Sequence, residues 1–139
     1  MSPQYVGTVI YFNGNATGTD CINASTYTGV EFTISGTVDA NCTVQFSIND
    51  SEHSTLSTMD PKASGLAGSY PAQLPVAITS TPTQVKVPFA GPDAPPVGSG
   101  MPMAAIDPTK IEGIQWQFTI PPGTGTCTSA LTITGISFY

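Results

Sequence analysis

The stretch Ile111-Glu-Gly-Ile-Gln-Trp-Gln-Phe-Thr-Ile120 alternates apolar and polar side chains at nearly every second position. Ile114 and Trp116 fall on one side of it, and Gln115 and Gln117 fall on the other. A period of two is that of a β-strand with one buried and one wet face, whereas a helix would space its apolar residues by three or four. The pattern therefore predicts a half-buried strand, which the following Pro-Pro-Gly ends.

The same alternation recurs in six further segments, which turn residues and Gly- or Pro-rich loops separate. These segments are residues 6–12, 30–36, 42–50, 74–78, 84–89 and 131–139. Gly135 predicts a bulge in the last of them, and Asp107-Pro-Thr-Lys predicts one helical turn with Asp107 as its N-cap. We therefore expect one all-β domain over residues 1–139, a β-sandwich of two antiparallel sheets with jelly-roll topology and no long helix.

Composition limits the partners of the chain. Its 139 residues include only 3 basic side chains against 9 acidic ones, a net charge of −6. Three lysines cannot form a basic patch, so we expect neither nucleic acid nor a membrane surface as a partner. No apolar run approaches the roughly 18 residues of a membrane span. Met1-Ser-Pro-Gln has no features of a signal peptide and resembles the start of an excised module. Few basic residues and many Thr, Ser and Gly are typical of a secreted bacterial protein, so we expect an extracellular location.

Three cysteines leave an odd count for pairing. If the last strand runs antiparallel beside residues 30–36, its beginning lies near Cys42, and Cys127 comes just before it. This placement predicts a Cys42–Cys127 disulfide, with Cys21 towards the opposite end of the sandwich. The alternative is three reduced thiols.

Titratable groups are too sparse to indicate an enzyme. The one histidine, His53, lies beside Asp50 and Glu52, and this is the only dense titratable cluster. The two carboxylates are candidate metal ligands, with calcium as the candidate ion. The alternative is a solvated loop at a strand end. No nucleophile, zinc or phosphate-loop motif occurs, so we predict that the chain is not an enzyme.

Uncharged amides on two of the predicted strands suggest a ligand. Gln45 and Asn49 share one face of a strand, and Gln115 and Gln117 share one face of another. Amides donate and accept hydrogen bonds without charge, as sugar hydroxyls do. We therefore predict a carbohydrate-binding face at these four residues, with Glu31 as an additional charged acceptor. The alternative is an ordinary wet sheet face.

Aromatic side chains matter because the C–H faces of a sugar pack on rings. Trp116 alternates with the apolar residues of its strand, which predicts a core position, although it could instead be a platform for sugar. Tyr70, in a Gly-Ser-Tyr-Pro loop, is the better candidate platform. Tyr11 falls opposite Ile10 and Phe12, so it could be exposed.

Several segments together resemble the galactose-binding-like jelly roll, which occurs in secreted bacterial proteins and in non-catalytic carbohydrate-binding modules. The resemblance covers nearly the whole chain and rests on Tyr27-Thr-Gly-Val-Glu-Phe-Thr-Ile-Ser-Gly, Cys42-Thr-Val-Gln-Phe, Asn49-Asp-Ser-Glu-His, Val85-Lys-Val-Pro-Phe, Lys110-Ile-Glu-Gly-Ile-Gln-Trp-Gln-Phe and Ile133-Thr-Gly-Ile-Ser-Phe-Tyr. Members of the group usually carry an Asp before the final motif, where a structural calcium is often held. This chain has Thr134-Gly135 there.

The resemblance implies a module that binds a plant polysaccharide chain and is fused to the catalytic domain of a secreted hydrolase. A β-1,4-glucan such as cellulose or xyloglucan is the first expectation. The alternative is a structural or adhesive β-sandwich of a bacterial surface protein that has no sugar site.

Overall fold

The computed structural model describes residues 4–12, 21–50, 73–94, 106–120 and 126–139. Seven strands and one short 3₁₀ helix, η1, lie in these ranges. In chain order they are β1 (Gln4–Tyr11), β2 (Gly29–Val38), β3 (Thr43–Asp50), β4 (Gln73–Val76), β5 (Thr83–Pro88), η1 (Pro108–Lys110), β6 (Ile111–Ile120) and β7 (Ser129–Phe138). Each predicted strand is present within a few residues of its expected bounds. No helix of the described ranges is long and apolar enough to cross a membrane.

The strands form two antiparallel sheets, as predicted. One sheet has four strands in the order β1-β6-β3-β4, and the other has three in the order β5-β2-β7. Apart from the step between β3 and β4, each successive strand changes sheet, which is the winding of a jelly-roll sandwich. The strands β3 and β6 lie at the centre of the larger sheet, so their register decides which side chains each face of that sheet carries.

Three aromatic rings form the centre of the core between the sheets. Phe46 on β3 lies directly across from Trp116 on β6, and their ring centroids are 5.3 Å apart. Phe32 on β2 of the other sheet packs on both, at 4.8 Å from Phe46 and 5.1 Å from Trp116. Trp116 is 2% exposed, which confirms the core prediction. Aromatic pairs at these separations and tilts add stabilisation beyond the area that they bury.

A disulfide ties the two sheets together at one end of the sandwich. Cys42 precedes β3 and Cys127 precedes β7, and the two are bonded as predicted. The topological reason is also confirmed, because β7 pairs antiparallel with β2 and Val38 lies across from Ser129. The third cysteine, Cys21, is not part of this disulfide.

Two local features follow the sequence prediction. On β7, Gly135 and Ile136 together face the single residue Phe32 of β2, which is a bulge, and Gly135 has a positive φ of 61° that suits glycine. The Asp107 side chain caps η1 by accepting hydrogen bonds from the Thr109 amide at 2.9 Å and hydroxyl at 2.6 Å. These bonds, the one from the hydroxyl first, hold the pKa of Asp107 below its ordinary value.

Truncating Trp116 tests the aromatic core. We expect Trp116→Ala to lower the free energy of unfolding by about 3–5 kcal/mol, because it leaves a cavity between the sheets. Trp116→Phe should cost much less, since it keeps a ring and removes an indole N–H that has no hydrogen-bond partner among the described residues. Urea unfolding of the three proteins measures both changes. An alanine variant as stable as the wild type would contradict the core position.

Removing the disulfide tests its role as the tie between the sheets. The bonded cysteines are 85 residues apart. Closing a loop of that size lowers the conformational entropy of the unfolded chain, which stabilises the folded protein by about 4.5 kcal/mol. The double variant Cys42→Ala/Cys127→Ala should therefore unfold at a much lower urea concentration than the wild type. The matched control is Cys21→Ala, which should keep the disulfide in non-reducing peptide maps. Equal stability of the double variant and the control would contradict this role.

Candidate functional site: the amide face of the four-stranded sheet

The outer face of the four-stranded sheet brings together the predicted amides. Gln45 on β3 lies directly across from Gln117 on β6, and Ser47 lies across from Gln115. On the other side of β3, Ser47 faces Gln73 of β4. Because Val44, Phe46 and Trp116 point into the core, the amides at alternate positions point out. We call the outer surface formed by Gln45, Gln73, Gln115, Gln117 and Thr119 the amide face.

Hydrogen bonds within the amide face hold several side chains in place. Gln73 Nε2 donates to Gln117 Oε1 at 3.3 Å, so this bond crosses β3 from one neighbouring strand to the other. The Thr119 hydroxyl donates to Gln45 Oε1 at 3.1 Å. Each of these bonds uses one amide oxygen or one N–H group of a side chain that has further bonding capacity. The face is therefore partly pre-ordered and can still bond a ligand.

Exposure differs from one end of the face to the other. Gln45, Gln73 and Gln115 are half-buried, and Gln117 is 9% exposed. Asn49 lies on the same face at the end of β3, yet it is 0% exposed. Neither amide atom of Asn49 has a hydrogen-bond partner among the described residues. A ligand on this face can reach the half-buried Gln45 and Gln115, but it cannot reach the fully buried Asn49.

The amide face carries no charge. Between Thr43 and Asn49 on β3, and between Gly113 and Thr119 on β6, no outward position holds a Lys, Asp or Glu. Of the three lysines, the two within the described ranges lie elsewhere and are paired with carboxylates. Lys86 contacts Glu31 at 3.0 Å, and Lys110 contacts Asp107 at 3.7 Å.

Glu31 lies on the outer surface of the other sheet, away from the amides. It is on β2, across from Lys86 on β5 and Ser137 on β7. Its carboxylate also accepts hydrogen bonds from Gln84 Nε2 and from the Ser137 hydroxyl, each at 3.3 Å. The hydrogen bond from Lys86 lowers the pKa of Glu31, with further lowering by the Lys86 charge and by Ser137. The structure therefore separates Glu31 from the other predicted sugar contacts.

Two buried carboxylates lie near the junction of β3 and β6. Asp50 and Glu112 are each 1% exposed. One oxygen of Asp50, Oδ2, accepts a hydrogen bond at 2.9 Å from the backbone N–H of Asp107, which joins the end of β3 to the cap of η1. No group of three or more His, Cys, Asp or Glu side chains comes together within the described ranges. Glu52, the other predicted metal ligand, lies outside those ranges, so the calcium site stays a prediction.

Two other side chains bear on the sequence-based site. Tyr70, the predicted platform, also lies outside the described ranges. Gln73 is a member of the amide face that the sequence prediction missed, because the short β4 was expected to start at Leu74 and contains Pro75. The feature that could have identified Gln73 is its position two residues before Pro75, because residues two apart lie on the same face of a strand.

Comparisons with known proteins add no relative: no family model matches the chain, and no curated protein or solved structure is significantly similar to it. The resemblance to galactose-binding-like domains therefore stays a prediction, and the site rests on its geometry.

Substituting Glu31 tests whether this residue is separate from the amide face. Folding lowers the pKa of Glu31. The contribution of the ionised Glu31 to stability is therefore complete above its ordinary pKa of 4.5, and it disappears as the pH falls through the lowered pKa. The difference in melting temperature between wild type and Glu31→Gln should thus be largest near neutral pH and should shrink in acid. Since the predicted sugar site is on the amide face, Glu31→Gln should leave any glycan affinity unchanged. A large loss of affinity in Glu31→Gln would place the binding surface on the other sheet.

Proposed function

We propose that the protein is a non-catalytic module that binds a neutral polysaccharide chain on its amide face. The observation that carries the proposal is the grouping of four glutamines, from three neighbouring strands, on one uncharged sheet surface. Each amide offers a donor and an acceptor in a geometry that suits vicinal sugar hydroxyls. Because the glutamines lie on hydrogen-bonded strands, a bound chain would not have to order the backbone first.

Charge supports a neutral ligand. The protein carries a net charge of −6, and its two described lysines are paired with carboxylates. An acidic glycan would meet repulsion without any compensating cation on the amide face. A neutral chain such as a β-1,4-glucan, the first expectation from the resemblance, meets neither obstacle. Binding should then change little with salt concentration.

Gln117 has a positioning role in this proposal rather than a contact role. At 9% exposure it offers little surface, but its Oε1 holds the amide of Gln73. Gln45 and Gln115, which are half-buried, are the direct contacts.

The location and the parent protein are part of the same proposal. A disulfide is compatible with an extracellular protein, and a module of this kind would target a secreted hydrolase to its polysaccharide.

A second candidate function is a structural or adhesive sandwich without a sugar site. The observation in its favour is that the amides already bond one another and Thr119. An affinity gel cast with neutral polysaccharide separates the two functions, because a module is retarded and a spacer is not. We use separate gels of hydroxyethylcellulose, xyloglucan and galactomannan, with polygalacturonate as the acidic comparison.

Alanine substitutions test the direct contacts. A hydrogen bond to a sugar contributes about 0.5–1.5 kcal/mol net, so Gln45→Ala and Gln115→Ala should each weaken binding about two- to ten-fold. Their melting temperatures should change little, because the side chains are outside the core. The matched control is Gln84→Ala, an exposed amide on the other sheet, which should bind like the wild type. Calorimetric titration with the retained glycan measures affinity. Unchanged affinity in the double variant Gln45→Ala/Gln115→Ala would rule out the amide face.

A further inference from the structure

Tyr11 is an exposed aromatic residue at the end of the amide face. On β1, Ile10 packs against the core and lies across from Ile114. Tyr11 is the next residue, so it lies on the opposite side of the strand, the side that β6 presents with Gln115 and Gln117. It is 39% exposed. Apolar ring surface that a sheet leaves in water is available to a ligand.

The positions across from Tyr11 on the neighbouring strands carry no exposed side chain. Across from Tyr11 on β6 is Gly113, which has no side chain, and across from Gly113 on β3 is the fully buried Asn49. The close approach of β1 explains the glycine, because a Cβ at position 113 would collide with the Ile10 carbonyl oxygen. The consequence is that no side chain of β6 stands directly beside the Tyr11 position.

We propose that Tyr11 is the stacking platform for one pyranose ring of the chain that binds the amide face. This inference rests on the function proposed above. The electron-rich face of an aromatic ring attracts the partly positive axial C–H groups of a pyranose. The next outward residue along β6 is Gln115, so the hydroxyls of the stacked sugar lie towards an amide that can bond them. Aromatic surface and amides together are what a neutral sugar needs.

The spacing on the sheet also sets the size of the ligand. Tyr11 lies across from Gly113, and Gln117 is four residues further along β6, about 13 Å at the rise of a strand. This span is longer than one pyranose ring. A ligand that stacks on Tyr11 and also reaches the Gln45–Gln117 row is therefore an oligosaccharide lying along the strands.

Tyr27 provides a matched control. It is 49% exposed, so as a residue it is at least as accessible as Tyr11. It packs beside Phe138 at the end of β7, with 5.4 Å between ring centroids, and β7 belongs to the other sheet. Comparing Tyr27→Ala with Tyr11→Ala therefore separates the general effect of losing an exposed tyrosine ring from the effect of losing the ring beside the amide face.

The experiment is calorimetric titration of Tyr11→Ala, Tyr11→Phe and Tyr27→Ala with the di-, tri- and hexasaccharide of whichever neutral polysaccharide retards the wild type. We expect Tyr11→Ala to weaken hexasaccharide binding at least ten-fold and to lose most of the gain between di- and hexasaccharide. Tyr11→Phe and Tyr27→Ala should stay within three-fold of the wild type. Melting curves check that each variant is folded. If Tyr11→Ala itself does not fold, Tyr11→Leu replaces it as the variant that lacks the ring.

The outcomes separate this inference from the proposed function. Wild-type affinity in Tyr11→Ala, together with weakened binding in Gln115→Ala, would overturn the platform and leave the amide face standing. A wild-type protein that binds none of the neutral polysaccharides would overturn both. Equal loss in Tyr11→Ala and Tyr27→Ala would also overturn the platform, because the effect would then not depend on the face.

Discussion

The contact among Phe32, Phe46 and Trp116 is the constraint on which the rest of the structure depends. It fixes the two central strands of the larger sheet against the other sheet, with ring centroids 4.8 to 5.3 Å apart. Since side chains alternate along a strand, burial of these rings forces Gln45, Gln115 and Gln117 to the outside. A slip of one residue would bury the amides and expose the rings, which is why the register is strongly determined. The surface that we assign to ligand binding is thus a consequence of the core.

Patterns confined to a few residues could be predicted from the sequence. Alternation gave the strands, Gly135 gave the bulge, and Asp107 before a proline gave the cap of η1. The Cys42–Cys127 pair needed one tertiary assumption, the pairing of β7 with β2, which the structure confirms.

The position of a polar side chain in three dimensions was harder to predict. Alternation says that Glu31 points out of its strand, but not that β2 belongs to the other sheet. It also says that Asn49 points out of β3, but not that this end of the face is buried. Both facts depend on which distant segments come together, and local spacing carries no information on that.

Buried carboxylates are a further feature that the alternation of side chains does not explain. Glu112 is two residues before Ile114 on β6, so alternation puts it with the core residues, and it is 1% exposed. Alternation predicts that this position is buried, but it does not explain why the position holds an acid. Asp50, at a register shift between β3 and β6, is buried as well and accepts a hydrogen bond from the η1 cap. A buried carboxylate that bonds a backbone N–H organises the fold, whether or not an ion also binds nearby.

An NMR titration tests most directly whether the uncharged outer face of the four-stranded sheet binds a neutral glycan, as we propose. ¹H–¹⁵N spectra of the labelled protein are recorded while neutral hexasaccharides of the cellulose, xylan and mannan types are added in turn. For at least one sugar, the account predicts shifts of the Gln45 and Gln115 side-chain amides and of backbone amides in β1, β3 and β6, with β2, β5 and β7 unchanged. Shifts confined to β2, β5 and β7, or no shifts with any of the sugars, would contradict it.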